Sequence, residues 1–298
     1  MQIDISFNSC IFKNKTKQQI IHLIKDIKMY YKSILIGFIK ETNFPFESID
    51  AITFEPNMTN YGYVETINNK DIKFKIHLDD SILPDLSLNP NSTETFMTKS
   101  VVQHEIFHCM EIKYLYDEHI LHSPNPLDNN FEITTTYNFL YDEAVKLWSE
   151  IYAVYNNRKI NVIHEVPDVR LDIQSVQLWL SKISENALKR TDKKIKLPLE
   201  TLAVLHEFWY HLVSMIALHI ESNDQILIDD YKNSNNIISS YFCFVYDYIK
   251  INIDAYPIWL NEENYIKFGK CLMSIISYYG LNFSTEDLSD HFVLELHK

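Results

Sequence analysis

Only four glycines occur in 298 residues, which argues for helices over an all-β fold. Cysteine is equally scarce. Cys10, Cys109, Cys243 and Cys271 are widely scattered without CxxC spacing, which excludes a disulfide framework and reads as reduced, partly core cysteines of a cytosolic protein. Basic residues number 27 against 40 acidic ones, for a formal charge of -13, and no lysine or arginine cluster interrupts the deficit. Nucleic acid and anionic membrane both need basic patches, so neither is an expected partner. No stretch approaches the apolar length of a membrane span, and Ile34 to Ile39 reads as the interior of an amphipathic helix. The opening residues Met1 to Phe7 alternate as a strand does and lack the basic and apolar regions of a signal peptide. There is no internal repeat and no low-complexity tail. What remains is a cytoplasmic globular chain, long enough to bury a sizeable core as one large domain or two lobes.

Against this background one segment carries chemistry. His104-Glu105-Ile106-Phe107-His108 is an HExxH sequence. Two imidazoles four residues apart stand about 40° apart around a helix and can hold a zinc ion, with the intervening carboxylate as base. The flanking residues read as a helix. Asn91 and Glu94 after Pro90 suggest its start, and neither glycine nor proline follows until Pro124. Val102, Ile106, Cys109 and Met110 form a buried stripe, with His104, His108 and Glu111 on roughly the opposite side.

A catalytic zinc normally has three protein ligands and keeps a fourth position for water. The third ligand of a metzincin is absent, because Glu111 and Tyr114 stand where its glycine and histidine belong. The segment Tyr141 to Ala153 offers a carboxylate instead. Ala144, Leu147, Ile151 and Val154 form its apolar stripe, and Glu143 and Glu150 lie seven apart on an adjoining face, so either can reach a metal. His119 and His122 are further alternatives, although an exposed loop of Ser123-Pro124-Asn125-Pro126 follows them. His206 and His211 look like a second motif but are one residue too far apart, about 140° around a helix, for one metal to bridge.

With "HEIFH" followed by "LWSEIYA", the chain resembles the gluzincin group of HExxH zinc metallopeptidases, and its small bacterial and phage-type members more than the large secreted ones. The resemblance runs from about Asn91 to Tyr155 and rests on motifs alone. It implies His104, His108 and Glu150 as zinc ligands, since Glu150-Ile151-Tyr152-Ala153 matches the downstream glutamate followed by a small residue. Secreted members often carry an aspartate where Ala153 stands, and this brace for a histidine must then come from Glu111, Asp142 or Glu143.

The first strand is followed by a helix opened by the Thr16–Gln19 capping box, with Ile20, Leu23, Ile27, Tyr31, Ile34 and Phe38 on one face. Three strands are expected at Ala51 to Glu55, Tyr61 to Thr66 and Asp71 to Leu78, the last two joined as a hairpin through Asn68-Asn69. In the last, Lys73, Lys75 and His77 alternate with Ile72, Phe74 and Ile76, the pattern of a strand whose lysines guard an exposed edge. From Asp168 the chain reads as almost entirely helical, punctuated by Pro167, Pro198 and Pro257, with Gly280 closing a helix from Glu262.

The expected fold is α+β and predominantly helical: a zincin-like lobe over residues 1–160, with a small N-terminal sheet and the active-site helix, then a helical lobe over 161–298. The expected function is zinc-dependent hydrolysis of peptide bonds in an intracellular protein or peptide. Zn2+ on His104, His108 and Glu150 would polarise the carbonyl and lower the pKa of its water toward roughly 7. Glu105 would take the water's proton and return it to the leaving amine. Tyr137, Tyr141, His206 and His211 are the candidates for stabilising the oxyanion. The alternative is a zinc-stabilised interaction protein in which Glu143 or His119 fills the fourth position.

Overall fold

A computed structural model describes residues 1–6, 9–59, 61–68, 72–83, 93–119, 136–161, 173–222, 237–256, 261–284 and 291–296. It is predominantly helical with two small sheets, the α+β class that composition and periodicity imply. The chain divides into two compact units. One comprises Met1–Asn129 and Lys159–Val162, the other Asn130–Arg158 and Ile163–Lys298. The helix carrying Glu143 and Glu150 therefore falls almost wholly in the second unit, whereas the division drawn at residue 160 from sequence put it in the first.

In the first unit, β1 (Gln2–Ile5), β2 (Ile49–Glu55), β3 (Gly62–Asn68) and β4 (Lys73–Asp79) form one sheet in the order β1-β2-β4-β3. β1, β2 and β4 are parallel, and β3 returns antiparallel to β4. All three expected strands are present within two residues of their expected ends. Asn69 itself lies outside the described residues.

The sequence reading of β4 as an exposed edge is overturned, because β4 is paired on both sides and β3 is the edge. Its lysines have other work. Lys73 Nζ donates to the Glu47 carbonyl at 2.5 Å, and Lys75 stands opposite Glu65. His77 is buried beneath the ring of Tyr63, stacked at 4.3 Å, with its two nitrogens 2.5 Å from Glu55 Oε1 and 3.0 Å from Glu65 Oε2. The clue to the true order was apolarity: Phe74, Ile76 and Leu78 of β4 are all fully buried, whereas β3 contributes only the partly buried Val64 to the core.

One helix, α1 (Lys17–Glu41), begins with the predicted capping box, in which Thr16 and Gln19 each accept from the other's backbone N–H. Its buried stripe is Ile20, Tyr31, Leu35 and Ile39, while Leu23 is exposed. The stripe thus turns slightly from the expected one, following a 3.6-residue repeat over the helix's full length. The second helix, α2 (Thr93–Asp117), carries HExxH, and its predicted start at Asn91 lies outside the described residues. Ile3, Ile5, Ile52, Phe54, Phe74, Ile76 and Leu78 from the sheet meet Tyr31, Leu35 and Ile39 of α1 and Val102, Ile106 and Cys109 of α2 in one core. Polar bonds fix α2 in register. Fully buried Gln103 donates through Nε2 to the Phe38 carbonyl at 3.0 Å and accepts through Oε1 from Asn161 Nδ2 at 2.6 Å.

The second unit holds α3 (Thr136–Ile160), α4 (Ile173–Leu188), α5 (Leu202–Ser222), α6 (Ile237–Asn252) and α7 (Glu262–Ser277). Trp148 of α3 is fully buried, stacked on Tyr256 at 5.1 Å and against Phe268 of α7 at 4.9 Å. Gly280, with φ 70°, sits just past α7 as predicted. The almost entirely helical reading needs correction. β5 (Lys194–Pro198), β6 (Leu281–Phe283) and β7 (His291–Leu296) build a three-stranded sheet in the order β5-β7-β6. These strands are short, and β5 pairs with residues at the far end of the unit, a partnership that no local pattern announces.

By length and composition the helical stretch Leu199–Ile220 is also apolar enough to cross a membrane, which corrects the sequence expectation. Half of that stretch is buried inside the structure, as in a core helix.

Candidate metal centre

The helical spacing of HExxH places the two imidazoles as required. His104 and His108 face each other edge to face, ring centroids 4.7 Å apart, with their Nε2 atoms 3.0 Å apart. Two ligands about 2.0–2.1 Å from a tetrahedral zinc are themselves separated by about 3.3 Å, so this pair already has nearly the span that the metal requires. A hydrogen bond between two neutral imidazoles has the same length, and the donor set decides which reading the site supports. Glu150, the third ligand expected from the sequence, is carried by α3 in the second unit. Two histidines and a carboxylate are the nitrogen and oxygen donors that zinc accepts.

Glu105, between the two histidines in sequence, is buried, at 6% exposure. Its side chain lies against the backbone of Gly62 at the start of β3. Burial pushes the Cys109 thiol well above its ordinary range, and the nearby Glu105 charge pushes it the same way. α2 is also more enclosed than an amphipathic surface helix. Gln103, Phe107, Glu111 and Ile112 are buried alongside the predicted stripe, so both sides of the helix are packed.

On α3, the expected stripe of Ala144, Leu147, Ile151 and Val154 is buried, and Glu143 and Glu150 are buried beside it. α5 separates their roles. His206 and Ser214, eight apart, reach Glu143 and Glu150, seven apart on α3. His206 Nδ1 lies 2.7 Å from Glu143 Oε2, and Ser214 Oγ donates a long 3.4 Å bond to Glu150 Oε1. The hydrogen bond to Glu143 raises the His206 pKa above its ordinary value, against the opposing effect of burial. Glu143 is thus engaged by a histidine, while Glu150 accepts from a serine.

The remaining sequence candidates fall elsewhere. His119 is exposed past the end of α2 with φ 59°, and His122 lies outside the described residues. His211 is exposed. Tyr141 is buried edge-on against Tyr265 at 5.4 Å, and the side chain of Tyr137 is not among those described. Of the expected braces, Asp142 accepts from Lys146 Nζ at 2.6 Å and Glu143 pairs with His206, while Glu111 is buried in α2.

Two residues at the site escaped the sequence reading. Ser214 had no signal, since a serine inside an apolar helix is common. Gly62 had one: an isolated glycine inside a strand in a chain with only four glycines marks a close approach. No family model matches the chain, and no curated protein or solved structure matches it either.

Proposed function

We propose that this protein is a zinc-dependent metallopeptidase that hydrolyses peptide bonds in a protein or peptide of the cytoplasm. The observation that carries the reading is the 3.0 Å convergence of His104 Nε2 and His108 Nε2 with Glu105 between them in sequence. With Glu150, the third ligand that the gluzincin resemblance implies, the set numbers three protein groups, which leaves a position for water. The gluzincin resemblance of the same residues supports the assignment. A purely structural zinc would need a fourth ligand; of its two candidates, Glu143 is bonded to His206 and His119 is exposed beyond the helix.

In this reading His104, His108 and Glu150 hold the metal, which when bound supplies Lewis acidity toward the scissile carbonyl and toward water. Glu105 accepts the proton that water loses and delivers it to the departing amine nitrogen. Its burial beside Gly62 keeps the carboxylate from adopting many rotamers, so the acceptor is pre-positioned. An extended substrate can add to an exposed sheet edge through main-chain hydrogen bonds, and β3, packed on α2, is the edge beside this helix. The free cysteines Cys109, Cys243 and Cys271 are the basis for the cytoplasmic assignment.

The test is Glu105→Gln in the full chain with a peptide library as substrate. The amide keeps the shape but cannot accept the proton, so turnover is expected to fall at least about 100-fold while the zinc content stays the same. Undiminished cleavage by the variant, or cleavage by neither protein at one zinc per chain, refutes the reading.

A further inference from the structure

β3 meets the HExxH helix at a residue with no side chain. A Cβ built on Gly62 would lie 2.8 Å from Glu105 Oε1 and 2.9 Å from both Cδ and Cγ of the same side chain. Real Cβ atoms essentially never make contacts that short. Gly62 is paired with Leu78 in the ladder, and its φ is not in the left-handed region that favours glycine. The position therefore has no backbone need for glycine. What it needs is space, and the group that fills the space is the Glu105 carboxylate.

We infer that Gly62 is a positioning residue for Glu105: the bare backbone at the start of β3 forms one wall against which the carboxylate is set. The contact stands on its own, while its catalytic meaning rests on the metallopeptidase reading. With alanine at position 62, the carboxylate must retreat by roughly 0.5 Å or more to reach an ordinary contact of about 3.5 Å. Glu105 is buried, so its end has little free volume to retreat into. A general base works within about 2.6–3.2 Å of the proton that it accepts, and a functional group held more loosely than about 0.5 Å loses much of its effect. The displacement is of the size that matters for proton transfer, yet involves no candidate metal ligand.

The test uses four full-length proteins: wild type, Gly62→Ala, Glu105→Ala and the double variant. Thermal unfolding is measured without added metal. Gly62→Ala is expected to lower Tm when Glu105 is present. In the Glu105→Ala background the same change should leave Tm unchanged or raise it, because alanine restricts the unfolded chain and no longer meets a carboxylate. Zinc-loaded wild type and Gly62→Ala are then compared on a cleaved peptide. The expectation is a kcat lower by about tenfold or more, with KM and zinc per chain unchanged. Equal changes in Tm in the two backgrounds overturn the inference, and so does a kcat within twofold of wild type. A wild type that binds zinc and cleaves no peptide instead overturns the metallopeptidase reading, and with it any catalytic role for Gly62. In that case the Tm comparison still decides separately whether the contact exists.

Discussion

Removing one imidazole of the facing pair should cost little in a chelator and a great deal in zinc. The Nε2 atoms of His104 and His108 are 3.0 Å apart, within a few tenths of an ångström of the tetrahedral span of about 3.3 Å. Little reorganisation is needed for the metal to enter. Free zinc at about 1,000 times its Kd stabilises the folded chain by about 4 kcal/mol. For domains of this size each kcal/mol moves Tm by roughly 2–4 °C, so the expected zinc-induced rise is about 8–16 °C. In a chelator the pair is at most a neutral hydrogen bond, worth about 0.5–1.5 kcal/mol, so His108→Ala should lower the metal-free Tm by only a few degrees. The deficit of the variant therefore grows severalfold when buffered zinc is added, and elemental analysis should report loss of the bound metal. His104→Ala should behave alike, and Glu150→Ala should weaken binding sharply. Glu143→Ala should leave the zinc content unchanged, since that carboxylate is held by His206. If zinc raises Tm equally in wild type and His108→Ala, the two histidines are a hydrogen-bonded pair and the metal-site reasoning fails.

Two further expectations concern groups around the site. The His206 pKa is raised by its bond to Glu143, so this pair stabilises the fold below the unfolded histidine value of about 6.5 and loses its effect as pH rises through the higher folded value. His206 is 42% exposed and solvent-screened, so Glu143→Gln should cost only about 1 kcal/mol in denaturant unfolding at pH 6 and less at pH 8.5; a larger cost at the higher pH contradicts the sign. Burial raises the Cys109 thiol and pushes Cys271 up to about 12, so under native conditions a thiol reagent should label Cys243 well before either of them, and mass mapping that finds Cys109 labelled first would refute the packing of α2.

The local features of this chain were legible from residues close in sequence. The Thr16–Gln19 capping box, the helix holding His104 and His108, and the apolar stripe Ala144–Leu147–Ile151–Val154 each depend on contacts within one or two turns, and the structure has them all. Facing imidazoles at i and i+4 are a property of helix geometry, so HExxH specified that pair without help from the fold. Glu143 and Glu150 are another matter. Seven residues apart on the same helix, they present nearly the same face, and only partners on another helix distinguish them: His206 takes one and Ser214 contacts the other. The sheet order shows the same limit. Alternation revealed β4 as a strand but not its neighbours, because an inner and an edge strand can share one pattern, and burial of His77 between Glu55 and Glu65 depends on β2 and β3 arriving on either side. The sheet β5-β7-β6 was invisible for the same reason, its strands being brief and its hydrogen bonds made with residues far along the chain. At Gly62 the two levels meet. The sequence placed a glycine in a strand, but only tertiary packing could reveal that the missing side chain makes room for the carboxylate of Glu105.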